Sequence, residues 1–211
     1  MKSELYRKEY GYAVLIDKEL PENPLILFEK WLLEATEAKV SEPSAMVLST
    51  VDSGGLPQSR VVLLKNYDEG GFTFFTNYLS NKGIEIDNNP AVAVVFLWPE
   101  VERQVRVTGF VTKTSAEISD SYFKSRPLPS QAASIISEQS KKIVSREALE
   151  KKLNGLMSNI PHGGFQRPEN WGGYSVKPVK IEFWQGRENR LNDRILYEKI
   201  GDKWEFSRLQ P

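Results

Sequence analysis

The chain contains no cysteine among its 211 residues. That excludes disulfides, thiolate nucleophiles and cysteine-based metal sites. Such a chain suits a reducing compartment, and the cytoplasm is the expected location. Histidine is nearly missing too: His162 stands alone, in the Pro/Gly-rich stretch NIPHGGF. One histidine cannot build a multi-histidine metal centre, so no metal is expected, and a Ser-His-Asp triad would have to recruit this loop residue. An enzyme this poor in reactive side chains is expected to use an organic cofactor for difficult chemistry. Net charge is absent as well: 28 Lys and Arg balance 28 Asp and Glu. No overall field points to nucleic acid or an anionic membrane, so any anion site must be a local cluster. The longest obvious apolar run, AVAVVFLW, falls far short of the ~18 residues of a membrane span. The first ten residues, MKSELYRKEY, lack the apolar stretch of a signal peptide.

What is present reads as one domain over residues 23–211, preceded by a polar, flexible arm over 1–22. Asn23 followed by Pro24 signals a helix start. Leu25, Phe28, Trp31, Leu32 and Ala35 then recur at helical spacing on one face. From Ala45 the pattern changes to closely spaced β-rich runs: AMVLSTV, QSRVVLLKN, GFTFFT, AVAVVFLW and RQVRVTGFVTK, with turns such as DSGGLP and PEVE between them. Thr114 and Glu117 form a capping-box pattern opening a helix to about Lys124, and RPLPSQ breaks it. A helical region containing SREALEKKLNGLM follows, then a long loop from Pro161 to Gly173. GYSVKPVKIEFWQG, LNDRILYEKI and KWEFSRL close the chain as strands. The expected fold class is mainly β with peripheral helices (α+β), an antiparallel barrel or sandwich rather than a βαβ fold.

Several segments combine cations, hydroxyls and amides. In SRVVLLK, Arg60 and Lys65 bracket an apolar strand and fall on opposite faces, as charged strand ends or as partners of two different groups. In FFTNYLSNKG, Ser80 is placed to cap a helix whose start, with Lys82, suits a phosphate; an ordinary cap and a solvated lysine read equally well. In YFKSRPLPS, Tyr122 and Arg126 share a helix face and Ser130 follows in the turn. That trio suits a phosphate monoester, and a C-terminal arginine favoured by the helix dipole is the plain alternative. Gln104 lies in RQVRVTG, a polar strand face or a partner for a heterocycle edge. Gln139 and Ser140 lie in EQSKK. In EFWQGRENRLNDR, a strand reading puts Arg190, Asn192 and Arg194 on one face, as a solvated edge or as an anion site, close to Trp184.

Taken in order, RVVLLK, FFTN, SNK, ERQV, YFKSRP, PSQ, EQS, WGG, EFWQG, NRLNDR and the terminal RLQP resemble the pyridoxine/pyridoxamine 5'-phosphate oxidase family over nearly the whole chain. The resemblance implies an FMN-binding split β-barrel and a homodimer with FMN at the subunit interface. It implies oxidation of pyridoxine 5'-phosphate or pyridoxamine 5'-phosphate to pyridoxal 5'-phosphate, with O2 reduced to H2O2 and ammonia released from the amine. By motif, FMN is expected at Arg60, Val61, Val62, Leu63, Leu64, Lys65, Phe75, Thr76, Asn81, Lys82, Gln104, Gln139, Ser140, Trp184 and Arg194. Arg60 and Lys82 would hold its phosphate and Gln104 its ring. The substrate phosphate is expected at Lys65, Tyr122, Arg126 and Ser130, with Arg190 and Asn192 as catalytic residues over the pyridine ring. Arg7 and Tyr10 match an arm that closes over the pocket. Two positions depart from the family pattern: Asn81 stands where arginine is common, and Asn192 stands where the pattern reads Arg-Leu-His-Asp-Arg. Asparagine forms hydrogen bonds but does not titrate. The alternatives are another FMN oxidoreductase on the same barrel and a non-catalytic protein binding FMN or a B6 phosphate.

Overall fold

Nine antiparallel strands pair into one curled sheet in the computed structural model, which describes residues 9–211. They are β1 (Ala45–Val51), β2 (Pro57–Leu63), β3 (Asn66–Asp68), β4 (Gly71–Asn77), β5 (Ala91–Trp98), β6 (Arg103–Lys113), β7 (Trp171–Gln185), β8 (Asp193–Ile200) and β9 (Lys203–Arg208). The order is β2-β1-β5-β6-β7-β4-β3, with β8 also paired to β7 and β9 to β8. Five helices decorate it: α1 (Pro24–Glu37), α2 (Asn81–Asn88), α3 (Ala116–Ser125), α4 (Leu128–Ile136) and α5 (Arg146–Met157). Among the described residues, no helix is long and apolar enough to cross a membrane.

Helix α1 fills the mouth of the curled sheet. Asn23 caps it by accepting the Leu25 N–H at 2.9 Å, and Pro24 occupies the first turn, where a missing N–H costs nothing. Its buried face, Leu27, Phe28, Trp31 and Ala35, packs on the sheet interior. Phe28 meets Phe72 and Phe96 edge-on at 4.9 and 5.1 Å. The Arg103 guanidinium lies over Trp31 at 4.4 Å, pairs with Glu34 and donates from Nε to Gln185 Oε1 at 2.8 Å. Arg103 is only 5% exposed, so this set of partners compensates a buried cation.

Strand β7 is fifteen residues long and carries Pro178 in its interior. Proline cannot donate to a ladder, and the β6–β7 register shifts at Thr108/Gly109, with Gly109 opposite Pro178. A Cβ on Gly109 would stand 2.2 Å from the Lys177 carbonyl oxygen, so only glycine allows this approach.

Three sequence expectations change. The helix predicted from Thr114 is capped by Ser115, which accepts the Ile118 N–H, while Thr114 Oγ1 bonds Ser119 Oγ at 3.0 Å. The loop predicted from Pro161 to Gly173 ends at residue 170, because Trp171–Gly173 already pair with Phe75–Asn77 on β4. The strand predicted through NRLNDR begins only at Asp193; Glu188–Arg190 form a 3-10 turn in which Asn189 and Arg190 take positive φ of 55° and 61°. Left-handed residues cannot continue an extended strand, so the shared face of Arg190, Asn192 and Arg194 is not formed.

The described part of the arm, residues 9–22, lies docked on the barrel. Glu102 Oε2 accepts the N–H groups of Gly11 and Tyr12 at 2.8 and 3.0 Å, and Asp193 Oδ2 accepts that of Leu15 at 3.1 Å. Arg208 donates to Asp193 Oδ1 at 2.6 Å and to the Leu15 carbonyl at 2.7 Å. Burial alone would raise the Asp193 carboxyl, but the Leu15 N–H, Arg187 and Arg208 together bring it below the usual carboxylate range. Phe28 is fully buried; Phe28→Ala is expected to destabilise the fold by roughly 3–5 kcal/mol, read from the midpoint of urea unfolding.

Candidate active site

A cavity of about 420 Å3 opens between β2, the end of β4 and helices α2 to α4. Among the described residues its lining includes three cations, Lys65, Lys82 and Arg126, and no aspartate or glutamate. Cations gathered without carboxylates mark an anion site.

The first corner is built around Lys82. Strand β4 ends at Asn77, and Ser80 caps α2 by accepting the Gly83 N–H. A Cβ on Gly83 would lie 2.0 Å from the Tyr78 carbonyl oxygen, so glycine lets the helix start tight against the loop. The Lys82 ammonium donates to Ser80 Oγ at 3.0 Å and to Thr76 Oγ1 and Gln139 Oε1, each at 3.2 Å. All three acceptors are neutral. Burial pushes Lys82 down to about 8, the Arg60 cation pushes the same way, and Glu85 opposes them. An anion placed here would supply the charge the cage lacks. The Asn81 N–H reaches Ser140 Oγ at 3.3 Å, which joins the helix start to the loop carrying Gln139.

Arg60 is close enough to disturb Lys82 but does not line the cavity. Its Nη2 donates to Glu85 Oε2 at 2.8 Å and its Nη1 to Thr50 Oγ1 and to carbonyls of β1 and β2. Val61, Val62, Leu63 and Lys65 line the cavity, whereas the Leu64 side chain is 5% exposed and packs in the core. Strand β2 ends at Leu63, so Arg60 lies within the strand and Lys65 beyond its end, in different surroundings.

The second corner belongs to α3 and α4. Tyr122 and Arg126 both face the cavity from the C-terminal end of α3. The Arg126 guanidinium lies 4.8 Å over the Trp171 ring and donates to Ser134 Oγ at 2.7 Å. Phe75 stacks on Tyr122 at 3.9 Å and 22°, and Trp171 lies parallel to both. Gly173 makes room for this stack: a Cβ there would lie 2.4 Å from Thr114 Oγ1 and 2.8 Å from the Phe75 ring. Ser130, expected at the phosphate, is not in the lining; it sits in the first turns of α4 and accepts the Ser134 hydroxyl at its carbonyl. Ser134 and Trp171 are the residues the motif reading missed. The WGG segment was the available signal for Trp171; Ser134 had none, because its role depends on how α4 packs beside α3.

The remaining predicted residues lie elsewhere. Gln104 and Trp184 face each other across β6 and β7, Trp184 faces Arg194 across β7 and β8, and Tyr10 meets Trp184 edge-on at 5.8 Å. A second cavity of about 340 Å3 is lined by Tyr10, Leu97, Glu102, Gln104 and Trp184, and shares no residue with the first. Gly186 lies under the Tyr10 ring, where a Cβ would stand 2.7 Å away. Arg194 donates from Nε to Glu182 Oε1 at 2.8 Å and from Nη1 to the Gln210 carbonyl at 3.0 Å; the Glu182 bond raises its pKa. Arg190 is exposed, and Asn192 Oδ1 accepts the Arg187 N–H at 3.0 Å. Arg7 lies outside the described residues. One protomer thus groups Lys65, Phe75, Thr76, Lys82, Tyr122, Arg126 and Gln139, and keeps Tyr10, Gln104 and Trp184 apart from them.

An antiparallel split barrel with a cation-lined cavity is an FMN-binding type of architecture. It is similar to a pyridoxamine 5'-phosphate oxidase-related, FMN-binding protein from Nostoc punctiforme, with a TM-score of 0.74 at 17% identity over 91% of this chain and 100% of that one. PhzG from Burkholderia lata, solved with tetrahydrophenazine-1-carboxylic acid, gives a TM-score of 0.88 at 32% identity over 95% of this chain and 100% of that one. The family described as "Pyridoxamine 5'-phosphate oxidase" matches residues 32–156, and that described as "Pyridoxine 5'-phosphate oxidase C-terminal dimerisation region" matches residues 171–211. Proteins named pyridoxine/pyridoxamine 5'-phosphate oxidase are 49% identical in a Cyanothece species and 48% in Legionella pneumophila, over 97% of this chain and 96% and 95% of theirs. The chain belongs to the pyridoxamine 5'-phosphate oxidase family.

FMN is the cofactor this family implies, and the Lys82 ammonium in the cavity lining, bonded to neutral acceptors, fits its phosphate by charge. Anion binding there requires the protonated ammonium. Since free Lys82 loses its proton through about pH 8, FMN affinity is expected to fall as pH rises past that value; Lys82→Met should weaken binding and flatten the slope, measured by quenching of flavin fluorescence.

Proposed function

We propose that the protein is an FMN-dependent oxidase of pyridoxine 5'-phosphate and pyridoxamine 5'-phosphate, forming pyridoxal 5'-phosphate with O2 as the final electron acceptor. The observation that carries this reading is the pair of cationic corners in one cavity. Lys82 with Thr76 and Gln139 suits one phosphate, and Lys65 with Tyr122 and Arg126 suits a second. Two phosphate-bearing molecules, cofactor and substrate, need two such corners side by side.

When bound, FMN supplies the two-electron acceptor at its ring. The chain's part is binding, orientation and exclusion of water. Arg126 presents its fork to the substrate phosphate, steadied by Ser134 and by the face of Trp171. The Phe75–Tyr122–Trp171 stack gives the cavity an apolar wall. Arg190 orients the pyridine ring and stabilises charge developing at the C4' carbon. Asn81, lacking the cation common in the family, offers FMN only neutral contacts.

The second cavity is completed in a homodimer. The C-terminal dimerisation match supports that state. Val61, Val47 and Leu97 are 64%, 37% and 61% exposed. Val61 pairs with Val47 and Val47 with Val95, two residues before Leu97, so they share the outer sheet face between the two cavities. Covering that face with a second copy buries apolar surface and brings Gln104, Trp184, Arg190 and Arg194 of one protomer to the phosphate corners of the other. A cysteine-free chain suits the reducing cytoplasm as the place of reaction.

A second reading, oxidation of a polycyclic carboxylate like the ligand held by PhzG, has support only in that 32% likeness. The test is direct. Purified protein loaded with FMN is mixed with either B6 phosphate under air, and aldehyde and peroxide are followed. Equal yields of both support the oxidase; a bound flavin that neither compound reduces defeats it. Arg126→Ala is expected to raise KM for either phosphate by roughly 10–100-fold with a smaller change in kcat, the loss of a charge-assisted hydrogen bond.

A further inference from the structure

The turn that carries Arg190 holds two consecutive non-glycine residues in the left-handed region, Asn189 at φ 55° and Arg190 at φ 61°. Asparagine tolerates this conformation; arginine gains nothing from it. Such a pair persists only where neighbouring bonds hold it. Three bonds close the turn. The Leu191 N–H donates to the Glu188 carbonyl at 3.1 Å, a single 3-10 bond within the turn. Arg187 Nη1 reaches Asp193 Oδ2 at 2.9 Å through a long, half-exposed side chain. The Arg187 N–H donates to Asn192 Oδ1 at 3.0 Å. Only the last ties the backbone at the start of the turn to a short side chain at its end, and Asn192 is half-buried there.

A backbone N–H only donates, so the amide oxygen of Asn192 must face it, and the orientation of the amide is decided by chemistry. The next residue, Asp193, begins β8 and is anchored by Arg187, Arg208 and the Leu15 N–H. The far side of the clasp is therefore rigid. The near side follows Gly186, whose N–H donates to the Glu102 carbonyl at 2.8 Å. Both ends of the turn are fixed to the sheet, and the Asn192 bond sets the path between them.

We infer that Asn192 is a positioning residue: its Oδ1 clasps the Arg187–Asn192 turn and so holds Arg190 in the left-handed conformation from which it reaches the substrate. The clasp stands on the structure alone; its bearing on substrate rests on the proposed oxidase reading. The position at which this chain leaves its family's histidine pattern thus has work independent of titration.

The test uses FMN-loaded protein and four variants: Asn192→Ala, Asn192→Asp, Arg190→Ala and the Asn192→Ala/Arg190→Ala double variant. Hydrogen exchange over residues 186–192 reads the clasp. Asn192→Ala is expected to speed exchange at the Arg187 amide at least about tenfold, and Asn192→Asp, which keeps an acceptor oxygen, to restore slow exchange. Steady-state kinetics with pyridoxamine 5'-phosphate read the route. Asn192→Ala should lower kcat/KM about tenfold, Asn192→Asp should recover part of that loss, and the double variant should be no worse than Arg190→Ala alone. Unchanged exchange in Asn192→Ala overturns the clasp. Multiplying losses in the double variant overturn the action through Arg190. Wild-type protein that oxidises neither B6 phosphate overturns the oxidase reading instead, and exchange still decides the clasp.

Discussion

The structure depends on the pairing of one long strand. β7 runs fifteen residues and pairs with β6, β4 and β8, so three parts of the chain take their positions from it. Its first residue, Trp171, lines the cavity of Lys82 and Arg126 and stacks under the Arg126 guanidinium. Its penultimate residue, Trp184, lines the second cavity beside Gln104 and Tyr10. Thirteen residue steps along a strand cover roughly 40 Å of path. The strand that lines both cavities also holds them apart. The bulge at Gly109 and Pro178 lets so long a strand bend with the barrel instead of running flat.

Charge placement follows a consistent rule. Two arginines outside the cavity lining are paired: buried Arg103 has Glu34 and Gln185, and half-buried Arg60 has Glu85 and Thr50. In the cavity the rule is suspended. Lys82 has only neutral acceptors, and Arg126 has a hydroxyl and an indole face. A cation without a carboxylate partner costs desolvation energy when buried, and a bound anion offsets that cost. The net neutrality of the chain hides this contrast, because it is local.

Much of the fold was legible. The α1 cap and buried face, the β-rich runs with their turns, and the Ser80 cap of α2 all appear where short-range pattern places them. The misreadings share a cause. Thr114 and Ser115 are both capable caps, and packing against Ser119 chose between them. NRLNDR alternates like a strand, yet Asn189 and Arg190 turn left-handed in a turn closed by the Arg187 bonds to Asn192 and Asp193. The bond of Arg126 to Ser134 had no short-range signal, because it depends on how α4 packs beside α3.

By itself, the amino-acid sequence carried the family: ordered motifs spread from Arg60 to Arg194 match it, and a chain with no cysteine and a single histidine excludes cysteine-based and multi-histidine metal chemistry. Those are properties of residue type and order, which are local. Only the tertiary structure decided which cations lie in the cavity without carboxylate partners, that Arg60 is held by Glu85, that Ser134 and Trp171 support Arg126, and that Asn192 bonds the Arg187 backbone. Each of these is a contact between residues brought together by long-range pairing or by a turn, and the distances that make them exist only once the sheet has closed.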